Sequence, residues 1–139
     1  MKQFFKDINL YTNGQKLIDF TDEVLEFVKS SKINNGILNL SILHTSASLI
    51  IQENADSDVQ KDLLNFFDKL VPMDPKLYVH DIEGKDDMPA HIKTALTNTH
   101  LTLSIKNSKM ILGTWQGIYL FEHRTNQQNR TVFSHIVGD

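Results

Sequence analysis

GILNLSILH, Gly36–His44, is the clearest strand in the chain. Side chains alternate across a β-strand, so Leu38, Leu40 and Ile42 share one face, and His44 falls in phase with them at its end. After the small residues Thr45–Ser48, the segment Leu49–Glu53 alternates again and groups Leu49, Ile51 and Glu53. Toward the N-terminus, residues 3–11 alternate loosely, with Phe4, Ile8 and Leu10 opposite Phe5, Asp7, Asn9 and Tyr11. Asn13-Gly14 is a type I′ turn signal, and Lys16–Phe20 is expected to return from it as a hairpin partner. Thr21 is the expected N-cap of a first helix, with Asp22 and Glu23 where the helix dipole favours acids. Phe20 and Leu25 form a hydrophobic staple, and the helix runs to about Lys32.

Toward the C-terminus, a second helix opens near Asp56. Ser57-x-x-Gln60 reads as a capping box there, with Asp56 as a competing cap. Val59, Leu63, Phe66, Phe67 and Leu70 give this helix its expected buried face, and Pro72 and Pro75 end it. Tyr78–Pro89 is a polar loop. Pro89, preceded by Asp86 and Asp87, starts a short third helix expected to pack through Ile92, Ala95 and Leu96. Leu101, Leu103 and Ile105 mark a strand that turns at Lys106–Ser108 into Met110–Leu112. Gly117–Arg124 is apolar on both faces, as a central strand is. Arg130–Val137 closes the chain. The pattern predicts seven or eight strands, mostly joined as hairpins, with three interleaved helices: one α+β domain over residues 1–139 with largely antiparallel sheet.

Composition narrows the function classes. The 40% hydrophobic and 22% charged residues are those of an ordinary globular protein, and 139 residues suffice for a core without staples. No apolar run is long enough to span a bilayer, and MKQFFKDINLY lacks a signal-peptide pattern, so no membrane partner is expected. Cysteine is absent, which removes thiolate metal sites and fits a reducing compartment; the expected location is cytoplasmic. A net charge of −3 without a basic stripe argues against nucleic acid as a partner. Neither a P-loop nor Gly-x-Gly-x-x-Gly occurs, which makes a standard ATPase or dinucleotide enzyme improbable.

The chemistry concentrates in HDIEGKDDMPAH, His80–His91. Imidazole and carboxylate are ordinary ligands of divalent ions, and polar loops on a scaffold are where function sits. His44, His80 and His91 each stand at a strand end, in a loop or at a helix start, where side chains from distant segments converge. Three histidines satisfy a catalytic metal site with one open position, although their spacing matches no standard motif. Glu53 and Glu122 are in phase with apolar neighbours, so each carboxylate must be paired, protonated or metal-bound. They suggest one polar rim. Arg130 is placed either to pair with Glu122 or to hold a ligand's phosphate or carboxylate. His100 and His135 read as structural, and His123, in phase with Tyr119 and Phe121, stays open. Ser46 and Ser48 near His44 lack the elbow a nucleophilic serine needs.

Three blocks then resemble a known family. HTSASLIIQENAD (His44–Asp56), HDIEGKDDMPAHIK (His80–Lys93) and GTWQGIYLFEHR (Gly113–Arg124) are similar, in this order, to signature segments of the YjbQ-like family, described as secondary thiamine-phosphate synthase. The resemblance implies a two-sheet β-sandwich of about seven strands with interleaved helices, assembled as a homotrimer. It implies a divalent metal, zinc first, on His44, His80 and His91. Glu53, Asp87 and Glu122 would serve as acid/base or supporting groups, and Trp115 and Gln116 would contact the ligand, with Arg130 on an anionic group. His123-Arg124 follows only part of the family. The implied activity joins hydroxymethylpyrimidine pyrophosphate to thiazole phosphate, so the expected partner is a small phosphorylated molecule. Two alternatives use the same residues: a non-catalytic metal- or ligand-binding trimer, and a metal-dependent phosphate-ester hydrolase.

Overall fold

The computed structural model describes Met1–Asp139. The elements in chain order are β1 (Lys2–Asn13), β2 (Lys16–Asp19), α1 (Thr21–Ser31), β3 (Gly36–Ile42), β4 (Ala47–Glu53) and α2 (Ser57–Leu70). A 3-10 turn at Pro75–Leu77 leads on to α3 (Asp87–Leu96), β5 (His100–Lys106), β6 (Lys109–Met110), β7 (Gln116–Glu122) and β8 (Gln127–Gly138). Eight strands form two sheets, β1-β8-β3-β5-β6 and β2-β7-β4, with every pairing antiparallel. This is the expected α+β sandwich. Its connections are not the expected hairpins, because only β5 and β6 are both consecutive and paired.

The Asn13-Gly14 turn shows why. Gly14 takes φ 87, as a tight reversal requires. β1 nevertheless pairs along β8, while β2 crosses to the other sheet and pairs Leu17 with Phe121 of β7. Apolar on both faces, β7 gains packing from strands on both edges, and its burial on both faces follows from sitting between β2 and β4.

The main core lies between the sheets. Leu38, Leu40, Leu103, Val132 and Ile136 of the larger sheet meet Ala47, Leu49, Ile118 and Leu120 of the smaller, with Phe20, Val24, Phe27 and Val28 added by α1 and its entry. Each fully buried side chain of this size contributes roughly 1.5–3 kcal/mol. On the other face of the smaller sheet, Leu17, Tyr119 and Phe121 form a second cluster against Leu64 and Phe67 of α2. The Phe67 and Phe121 rings meet edge-on at 5.4 Å.

The helices correct several expectations. α1 begins at Thr21 itself, and Asp19 Oδ1 accepts from both the Thr21 amide and its hydroxyl. Asp56 wins the competition to cap α2, accepting from the Asp58 amide. Its expected buried face is only half used: no residue of α2 is fully buried, and Phe66 and Leu70 are more than half exposed. α3 buries Ala90, Lys93 and Thr94 rather than Ile92, Ala95 and Leu96. It can do so because Lys93 Nζ reaches Asp68 at 2.5 Å and the Thr94 hydroxyl donates to the Ala90 carbonyl. The outer face of the larger sheet carries Phe5 stacked on His135 at 4.5 Å, with Ile37 half exposed beyond.

One close approach fixes where β3 meets β8. Gly36 and Gly138 are cross-strand partners, and a Cβ on Gly138 would lie 2.2 Å from the Asn35 carbonyl oxygen and 2.8 Å from Gly36 Cα. Both obstacles are backbone. Gly138→Ala is therefore expected to cost about 1–3 kcal/mol by forcing the strands apart. A shift of the urea midpoint measures it, and an unmoved midpoint would show that the strand ends yield freely.

Candidate metal centre

α3 supplies two of the three converging groups. Asp87 and His91 are four residues apart on one helix, which stacks them on the same face. The preceding loop, turned at Gly84 (φ 106), brings His80 back over them. His80 Nε2 lies 2.7 Å and His91 Nε2 3.3 Å from the same oxygen, Asp87 Oδ2. The ligand atoms of all three residues lie within 4.8 Å of one another. Asp87 is buried, whereas the His80 and His91 side chains are 44% and 31% exposed, so the group opens to solvent on the imidazole side.

A single hydrogen bond fixes the character of this group. His91 Nδ1 is 2.9 Å from the Thr45 carbonyl oxygen, which can only accept, so Nδ1 carries the proton. In the neutral ring Nε2 is then a bare lone pair, facing the Asp87 carboxylate at 3.3 Å. Two acceptors at that distance repel unless a second proton or a cation lies between them. Zinc bonds of about 2.0–2.1 Å at tetrahedral angles place neighbouring donors about 3.4 Å apart, close to the 3.3 Å between His91 Nε2 and Asp87 Oδ2, whereas His80 Nε2, at 2.7 Å, stands at hydrogen-bond distance from the same oxygen. Two imidazoles and one carboxylate are an ordinary zinc donor set, and a ring nitrogen donating to a carbonyl is how ligating histidines are usually oriented. The residues fit a divalent ion.

The other oxygen, Asp87 Oδ1, accepts from Arg124 Nη1 at 2.6 Å. Arg124 Nε donates to Asp86 Oδ2 at 2.9 Å and Nη2 to the Glu83 carbonyl at 2.9 Å. Asp86 Oδ2 also takes the Thr125 amide at 3.0 Å. Burial works to raise the pKa of both aspartates. For Asp87 the His80 hydrogen bond and the Arg124 charge outweigh it, and for Asp86 the Thr125 amide and Arg124 do, so both lie below the ordinary carboxylate range. Both are carboxylates at neutral pH.

The remaining expected residues lie elsewhere. His44 is outside the group: its Nε2 accepts from the Thr131 amide at 2.9 Å, which uses the lone pair a metal would need. Burial, then the Arg130 charge, lowers its pKa against an opposing effect of Glu122, so it is neutral. Asp87, expected as an acid or base, is the third member of the group with His80 and His91. Glu122 and Arg130 are fully buried against each other, with Nη2 to Oε2 at 2.6 Å and Nε to Oε1 at 2.8 Å. Glu122 also accepts from Thr12 and the His123 amide, and Arg130 Nη2 donates to Ser46. Of the two readings of Arg130 the structure shows the pairing with Glu122, and both side chains are sealed from the surface, away from His80, Asp87 and His91.

Nor do Glu53 and Glu122 share a rim. β4 and β7 are antiparallel, pairing Ala47 with Glu122 and Glu53 with Gln116. Six residue steps of about 3.3 Å put the two acids roughly 20 Å apart, at opposite ends of one sheet. Trp115 and Gln116 lie at the Glu53 end. Trp115 is largely exposed, Gln116 Oε1 accepts from the Gly113 amide, and Glu53 Oε2 is buried without a partner. A cleft of about 370 Å³ between Leu25, Val28, Lys29 and Ser108–Met110 is also away from the histidines.

His123, open in the sequence, is a core residue. It is buried, 2.9 Å from Ser48 Oγ, and packed on Phe121 at 4.4 Å. Burial, reinforced by the charges of Lys93 and Arg130, lowers its pKa to about 3. The sequence reading assigned neither Asp86 nor Arg124 to the site. It also passed over the one signal that marks the centre, the four-residue spacing of Asp87 and His91.

The chain is similar to known proteins along most of its length. The family model described as UPF0047 protein YjbQ-like matches residues 6–139. A UPF0047 protein of Synechocystis is 48% identical over 92% of this chain and 87% of its own length. The YjbQ protein of Escherichia coli O157:H7 is 42% identical over 86% of each chain. Among solved structures, a YbjQ-like protein of unknown function from Sulfolobus solfataricus superposes with a TM-score of 0.91 at 25% identity over 99% of both chains. An uncharacterized YjbQ/UPF0047 protein of Clostridium acetobutylicum gives 0.87 at 36% identity over 95% of this chain and 99% of that one.

Proposed function

The chain belongs to the YjbQ-like UPF0047 family, and we propose that it binds a divalent cation, zinc first, through His80, Asp87 and His91. The observation that carries this reading is the His91 ring: with Nδ1 committed to Thr45, its Nε2 lone pair and the Asp87 carboxylate repel unless a proton or a cation lies between them, and a divalent ion fills that role. Three protein donors and a solvent-facing side are also the layout of a zinc site with an open position. A bound ion would supply charge to hold a phosphoryl oxygen or a leaving pyrophosphate. The chain supplies little positive charge of its own there. Arg130 is sealed in the core, and Arg124 is committed to Asp86 and Asp87.

The reaction we assign is the one the family blocks imply, transfer of a hydroxymethylpyrimidine from its pyrophosphate to thiazole phosphate, so that the partner is a small phosphorylated molecule. The chain is read as a cytoplasmic homotrimer. On the mixed outer face of the larger sheet, Phe5 and Ile37 are exposed among polar residues, and these apolar spots support association between copies. A second reading, a metal-binding trimer without turnover, is favoured by one observation: within a single chain no cavity adjoins the histidines.

Titration calorimetry with zinc on untagged protein tests the binding step. One ion per chain is expected, with an affinity loss of at least about 100-fold in His91→Ala, the scale of losing one of three ligands. Less than about a tenth of an equivalent bound by the wild type sinks the metal reading. Offering zinc-loaded protein the two phosphorylated substrates, and separately a phosphate monoester, sorts transferase from hydrolase and from a silent binder.

A further inference from the structure

We propose that Arg124 is the positioning residue of the centre, holding Asp87 in ligand orientation and the loop before α3 closed. This rests on the metal reading above. Its guanidinium, 12% exposed, spends three nitrogens on three different acceptors: Asp86 Oδ2, Asp87 Oδ1 and the Glu83 carbonyl. All three belong to the five residues that lead from the loop into α3. Asp86 is tied down again by the amide and hydroxyl of Thr125, the residue after Arg124. The loop is thus clasped to the end of β7 through five hydrogen bonds. No apolar contact replaces them, since Ile82 in the same loop is 92% exposed.

The clasp has a directional consequence. A carboxylate has two oxygens, and Arg124 takes Oδ1, so Oδ2 is the one turned toward both imidazoles. Asp87 sits in the first turn of α3, where backbone alone fixes its Cα and leaves the carboxylate plane free to rotate. The Arg124 fork removes that rotation. The same residue holds Asp86 away from the ion position, which keeps a second carboxylate from competing with Oδ2. A lysine keeps the charge but has one nitrogen in place of a planar fork, so it can serve only one of the acceptors well.

The test is Arg124→Lys, read three ways. Zinc affinity is expected to fall about 10–100-fold, the range for lost orienting partners. Cobalt(II) bound in place of zinc is expected to show a changed visible spectrum, which a merely structural residue would not cause. In metal-free protein, hydrogen exchange of the Asp87 and Thr125 amides is expected to rise about ten-fold or more, a loss of local protection, while β3 and β8 amides keep theirs. Unchanged affinity and spectrum in the variant overturn the positioning role. If the wild type binds no zinc, the metal reading fails alone, and unchanged exchange in Arg124→Lys then rejects the clasp on its own terms. Asp86→Asn, which cuts the clasp without touching Asp87 or Arg124 charge, is expected to repeat the exchange result; stable protection there also counts against it.

Discussion

Arg130→Met is expected to lower the unfolding free energy by about 3–5 kcal/mol, because it leaves the Glu122 carboxylate buried without its cation. Glu122 has no exposure and its partner only 4%, so water cannot substitute. Three of the hydrogen bonds to the carboxylate come from this one guanidinium. Thr12 and the His123 and Arg124 amides remain, but they carry no charge. The double variant Glu122→Leu with Arg130→Met is expected to recover most of the loss, since replacing both members of a buried pair by apolar groups is often close to neutral. Urea denaturation of the two variants against wild type measures this. A loss under about 1 kcal/mol in Arg130→Met would mean that the pair is not desolvated, and would return both residues to the list of groups free to meet a ligand. Where the variants stay folded, zinc binding is expected to persist, because neither residue touches His80, Asp87 or His91.

That contrast shows what the sequence could and could not reveal. The in-facing position of Glu122 is legible from its phase with Ile118 and Leu120, and Arg130 as its partner from the short turn between them. Whether such a pair is a site or a plug depends on what closes over it. Here Thr12 does, from a strand more than a hundred residues away in sequence, and no local pattern announces that. The same limit explains the hairpins. Asn13-Gly14 states correctly that the chain reverses, but not that the next strand joins a different sheet. This choice is made by β7, whose two apolar faces and two open edges draw in β2 and β4. Once consecutive strands alternate between sheets, polar strand ends that look adjacent are separated, as Glu53 and Glu122 are. His80, Asp87 and His91 survive the folding as a group because all three lie within one loop and one helix turn. Short-range geometry reads well from sequence. His44 is grouped with them in the sequence by its place at a strand end and by the family blocks, and in this chain its ring accepts from the Thr131 amide.

Acid is expected to unfold this protein through His123 well before its carboxylates are lost. The ring has an ordinary pKa of 6.5 and in the folded chain one of about 3. Between those values the unfolded chain binds a proton that the folded chain refuses, so stability is fully present above pH 6.5 and falls as pH drops. The slope from this one group is about 1.4 kcal/mol per pH unit, or about 3 kcal/mol lost by pH 4, and the loss levels off only near the folded pKa. His44, lowered in the same direction, adds to the loss over part of that range. Asp86 and Asp87 contribute later, below the ordinary value of 3.8, as their depressed pKa values are reached. Urea midpoints at pH 7, 5 and 4 for wild type and His123→Gln check the assignment. Gln keeps a polar partner for Ser48 without a titrating ring, so its stability curve is expected to be flatter by about 3 kcal/mol across that span. Parallel curves would place the proton uptake on other groups. The location matters for the metal centre as well. His123 precedes Arg124 in the chain and its ring lies under α3, bonded to Ser48, which in turn takes the Thr97 hydroxyl at the end of that helix. Charging His123 therefore acts on the C-terminal end of α3, the helix that carries Asp87 and His91, at the end opposite the Arg124 clasp, and loss of amide protection along α3 is expected as the pH falls.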